Sequence, residues 1–87
     1  MNEPKFESGQ LVKIKVGDET RYNNVLEPVY NEHAGCFLYR LDEMMAMPVY
    51  REDWLEAVSD EEIQHLQELA DAGKLVLHNM GYFTVLE

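Results

Sequence analysis

One stretch of this chain, Ser59 to Gly73, carries helix punctuation at both ends, and it limits where every other element can lie. Ser59 offers a side-chain oxygen to the first turn, and Glu62 three positions later completes the Ser-x-x-Glu capping box. Val58 and Ile63 are spaced to close over that turn as a hydrophobic staple. Asp60, Glu61 and Glu62 suit the positive end of the helix dipole. Ile63, Leu66, Leu69 and Ala70 then form one apolar stripe at helical spacing. Gly73 supplies a left-handed stop, with Lys74 favourably placed beyond it. The pattern predicts one helix over 59–73.

The residues before Ser59 read as short strands. Leu11 to Val16 alternates strictly, placing Val12, Ile14 and Val16 on one face and Lys13 and Lys15 on the other. Gly17 to Thr20 is turn chemistry. Val25 to Tyr30 reads as a second strand, where Pro28 favours an edge or a bend. A polar loop, Asn31 to Gly35, joins it to Cys36–Leu41 as a hairpin. Pro48-Val49-Tyr50 is a short fourth strand. Arg51-Glu52-Asp53 reads as a single helical turn delivering Trp54 and Leu55 to the core. Leu55 to Val58 is the fifth strand. After the helix, Leu75–His78 and Tyr82–Leu86 form a hairpin, with Gly81 at a left-handed loop position.

At 87 residues the chain has length for one domain and not two. The expected class is therefore mainly β, of α+β type, with a single domain over 1–87. The N-terminus lacks a basic stretch followed by an apolar run, and no segment reaches the roughly 18 apolar residues of a membrane span. Cys36 has no internal disulfide partner. These features predict a cytoplasmic protein.

Charge narrows the function classes. Seventeen acids face seven bases, a net charge of −10. Residues 1–58 carry eleven acids and six bases, and the much shorter 59–87 carries six acids and one base, so each part holds −5. Such a surface repels phosphate backbones and anionic lipid heads. It fits a basic protein partner, or simple solubility.

Three stretches of the first part resemble the small SH3-like β-barrels of bacterial and phage proteins. Phe6-x-x-Gly9-x-x-Val12-x-Ile14 is similar to the opening strand. Tyr30-Asn31-x-x-x-Gly35-x-Phe37-x-Tyr39-x-Leu41 is similar to the central hairpin. Tyr50-x-Glu52-Asp53-Trp54-Leu55-Glu56 is similar to the closing turn and last strand. The resemblance implies an SH3-like barrel of four to five antiparallel strands over 6–58, followed by the helix at 59–73 and a hairpin at 75–87. It also implies a peptide-, protein- or nucleic-acid-binding module.

No motif for catalysis or cofactor binding emerges, so the chain reads as non-enzymatic with no cofactor. His33 and Cys36 are three apart, but His65 and His78 are thirteen apart and supply no second ligand pair for zinc. Cys36 with His33 as nucleophile and base lacks an orienting third group. The candidate partner-binding residues are the helix acids Asp60, Glu61, Glu62, Glu68 and Asp71, together with Met44, Met45, Tyr30 and Tyr50. Methionine clusters make adaptable contact surfaces, although the plainer reading has one or two of these plug the open end of the barrel. Tyrosines left exposed are natural contact residues, while Phe37 and Trp54 are the aromatics expected in the core.

The leading expectation is an acidic protein-binding module for a basic partner, in its sharper form an inhibitor that imitates nucleic acid. One rival is an RNA- or DNA-binding barrel using Lys13, Lys15, Arg21, Arg40 and Arg51. The other is a structural homo-oligomer, paired through the edge of the C-terminal hairpin.

Overall fold

In the computed structural model, residues 3–43 and 49–86 are described. The strands are β1 (Leu11–Val16), β2 (Glu19–Asn31), β3 (Cys36–Leu41), β4 (Val49–Arg51) and β5 (Glu56–Ala57). The helix α1 (Asp60–Asp71) follows, then β6 (Leu75–Leu77) and β7 (Phe83–Val85). All pairings are antiparallel. The path runs β4-β3-β2-β1-β5, with β7 added to β2 and β6 to β7. Among the described residues no pairing joins β4 to β5, so the sheet is open.

β2 is longer than the predicted second strand, because the turn uses only Gly17 and Asp18 and pairing resumes at Glu19. Its first half pairs with β1, from Val16 opposite Glu19 to Leu11 opposite Asn24. Its second half pairs with β3, and the register shifts between Val25 and Glu27. An extra residue on one strand bends it and increases the local twist, and Leu26 is turned out to solvent there. Pro28 sits opposite Tyr39 in the half of β2 that has β3 on one side only, where a missing N–H is tolerated.

Strand alternation divides the interior into two apolar clusters. The first holds Phe6, Val12, Val25, Tyr39, Leu41 and Leu55, and lies between the two halves of the bent sheet. The second holds Tyr22, Val58 and Leu66, with Leu11, Ile63, Leu75, Phe83 and Val85 packed around them, and lies under α1. β1 serves both, with Val12 and Ile14 on one side and Leu11 on the other. Val16, expected on the buried face, is exposed because it ends the strand beyond the first cluster.

One aromatic assignment needs correction. Trp54 is 51% exposed and lies over the Arg51 guanidinium, 5.8 Å from the ring centre. The one-turn helix at Glu52–Trp54 is present, but extended Leu55 after it points inward and Trp54 is left outside. Phe37 packs against the first cluster as expected, partly buried and edge-on to Tyr30. The aromatic centre of the core is instead Tyr39 with Phe6, edge to face at 5.3 Å between centroids and both fully buried. The Tyr39 hydroxyl accepts from the Lys5 and Phe6 backbone N–H groups and donates to Glu52 at 2.5 Å. This polar end fastens the N-terminal segment to the sheet.

Candidate partner-binding surface

The helix begins as its sequence dictates: Ser59 Oγ accepts from the Glu62 N–H at 3.2 Å. The other half of the capping box differs. The Glu62 carboxylate turns toward the sheet, where Oε1 receives the Lys13 ammonium at 2.8 Å and Oε2 receives the Tyr22 hydroxyl at 2.9 Å. Lys13 and Tyr22 are cross-strand partners on the face of β1 and β2 that α1 covers, so a single carboxylate serves both. Hydrogen bonding from Lys13 holds the Glu62 carboxyl below its ordinary range. Burial, followed by the bond to Glu62, pushes the Tyr22 phenol up to about 12.

The other four helix acids point away. At 3.6 residues per turn, Asp60, Glu61, Glu68 and Asp71 fall within about 100° of one another, and all four are exposed. The helix carries no Lys or Arg. Its one titratable base, His65, has Nδ1 3.8 Å from Glu68. The structure thus brings four of the five predicted helix acids onto one outer face and turns the fifth toward the sheet.

The remaining candidates lie elsewhere. Tyr30 is 49% exposed at the tip of the β2–β3 hairpin. Tyr50 donates to Glu43 at 2.6 Å, and burial pushes its phenol up to about 12. Met44 and Met45 lie outside the described residues. The bases expected for a nucleic-acid surface are mostly engaged: Lys13 with Glu62, Arg21 with Glu19, Arg40 with Glu27 and Arg51 with Asp53. Arg21 also lies flat over Tyr82, 4.4 Å from its centroid. Lys15 is exposed and has no ion pair among the described residues.

His78 faces Thr84 Oγ1 at 2.9 Å and stacks on Tyr82, away from His33 in the β2–β3 loop. Among the described residues no three His, Cys, Asp or Glu side chains converge on a common point. A cavity of about 20 Å³ near Asn23, Arg21 and Tyr82 has room for roughly one water.

One feature had no local sequence signal. A groove of about 560 Å³ runs between α1, the β1–β2 turn and the end of β7. The only residue pair joining β2 to β7 is Tyr22 opposite Phe83. Thr20 and Val85, two residues further along, line the groove instead of pairing with each other. Its walls come from three segments far apart in sequence.

Compared with known protein families, characterised proteins and solved structures, the chain matches none. Among the described residues no helix is long and apolar enough to cross a membrane.

Proposed function

We propose that this chain is a non-catalytic binding module whose outer helix face receives a basic protein partner. The observation that carries this reading is the segregation of charge. Asp60, Glu61, Glu68 and Asp71 share one exposed helix face without a Lys or Arg, whereas Lys13, Arg21, Arg40 and Arg51 are each paired with a carboxylate. Uncompensated charge on one face steers an oppositely charged partner and sets specificity. In its sharper form the spaced carboxylates imitate a phosphate backbone and occupy a nucleic-acid-binding partner.

The SH3-like reading of residues 6–58 accompanies this proposal. The order β4-β3-β2-β1-β5 and the one-turn helix between β4 and β5 support it. Direct nucleic-acid binding is disfavoured, because each engaged base would have to leave its carboxylate to reach a phosphate.

The test is capture of basic proteins from lysate at low and high salt, with wild type and with the Glu61→Lys/Glu68→Lys double variant. The expected result is salt-sensitive recovery of basic proteins by wild type, reduced about tenfold or more in the variant. Equal recovery by both proteins sinks the proposal. Salt-sensitive retention of RNA or DNA in a filter-binding titration would favour the rival instead.

The homo-oligomer reading has one observation of its own. Leu77 is 76% exposed on β6, which among the described residues pairs only with β7, and Leu86 is also exposed. A monomer mass by light scattering at micromolar concentration removes it.

A further inference from the structure

We infer that the groove beside α1 takes a short basic segment of the partner, carrying one apolar anchor side chain flanked by Lys or Arg. This rests on the proposed function and adds where and how the partner is gripped. An apolar strip lies within it: Tyr22 and Leu66 are buried there, and Leu69 and Val85 are partly buried. At about 560 Å³ it lies within the range of pockets that bind small ligands, so it holds an anchor side chain with its neighbours. The rim is acidic. Asp18, Glu19 and Glu62 border it, and His65 is the one basic side chain among the lining residues.

Glu19 and Glu62 are already bridged by Arg21 and Lys13, while Asp18 has no ion pair among the described residues. On the helix, His65 stands next to the outer face, so Glu61 and Glu68 extend the negative rim outward. An occupant that is both apolar and cationic complements this combination. A purely apolar ligand would leave the rim unused, and a purely cationic one would leave the apolar strip wet. Specificity for the partner then comes from the anchor, and long-range attraction from the outer face.

The experiment uses two synthetic peptides with equal numbers of lysines, one alternating Lys with Leu and the other Lys with Gly. Binding is measured to the full chain by fluorescence anisotropy, and backbone amide shifts are recorded during the titration. The expected result is about tenfold tighter binding of the Leu peptide, the gain from burying one large aliphatic side chain. The largest shifts should fall at Thr20, Leu66, Leu69 and Val85. Thr20→Trp, which places an aromatic ring into the groove from β2, should abolish the preference for the Leu peptide. The shift map on wild type decides the matter even if that variant fails to fold. Equal, salt-sensitive binding of both peptides, or shifts confined to other residues, overturns the groove assignment and leaves the acidic-face proposal standing. No binding of either peptide overturns both.

Discussion

Glu62 shows how a side chain with an evident local role can be diverted by tertiary structure. Its spacing from Ser59 marks it as the returning half of a capping box, and its backbone N–H does take the Ser59 bond. The carboxylate, however, finds an ammonium and a phenol on the sheet below. There the carboxylate gains a cation and two donors at once, where the Ser59 N–H would offer a single bond. Glu62→Ala leaves Lys13 and Tyr22 without their acceptor at an interface where both Lys13 and Glu62 are only about a quarter exposed. The expected cost is about 1–3 kcal/mol by urea unfolding. A loss below about 0.5 kcal/mol, ordinary for surface substitutions, would show that water replaces the carboxylate without penalty. Trp54 and Tyr39 make the complementary point. Both are aromatic and both were candidates for packing, but only the fold reveals that Tyr39 has a carboxylate and two backbone donors for its hydroxyl.

At the level of elements, legibility followed the range of the interactions. α1 was readable because cap, staple, stripe and stop all lie between Val58 and Gly73 and act locally. The stripe is incomplete, since Ala70 is exposed beside half-buried Leu69. The hairpins were readable from alternation and glycine placement. The length of β2 and its bulge were not, because they depend on two different partners, β1 and β3. The groove was beyond reach for the same reason. The C-terminal hairpin offers a sharper test. Gly81 has φ of 106°, and a Cβ there would meet the Asp42 carbonyl oxygen at 2.5 Å. Two separate penalties therefore oppose Gly81→Ala, backbone strain and a clash with main chain. The expected loss is about 2 kcal/mol or more, with the His78–Tyr82 tip lifting from β3. An unchanged thermal midpoint would refute the tight docking of that tip.

For the whole molecule, pH acts through carboxylates and phenols placed between layers. Glu62 has a folded-state pKa below its ordinary value, so its contribution is present at neutral pH and is lost as pH falls through the carboxylate range. Tyr22 and Tyr50 are shifted the other way, to about 12. The unfolded chain gives up these protons first, near the ordinary tyrosine value of about 10. Stability is therefore complete below about pH 10 and declines between about 10 and 12. Tyrosinate absorbance and circular dichroism followed together should show ionisation of these phenols coinciding with unfolding. Ionisation near pH 10 with the fold intact would contradict the buried placement. New tyrosinate charges would also add to a chain already at −10, which deepens the alkaline loss.

The bent strand β2 contributes Val25 to one apolar cluster and Tyr22 to the other. A thirteen-residue ribbon shared in this way acts as a hinge pin. Drawing it out of either half withdraws it from both, so the helix-bearing layer cannot peel away while the rest stays folded. Amide hydrogens in α1 and in β3, which lean on different halves of β2, should exchange through the same opening event and with the same opening free energy.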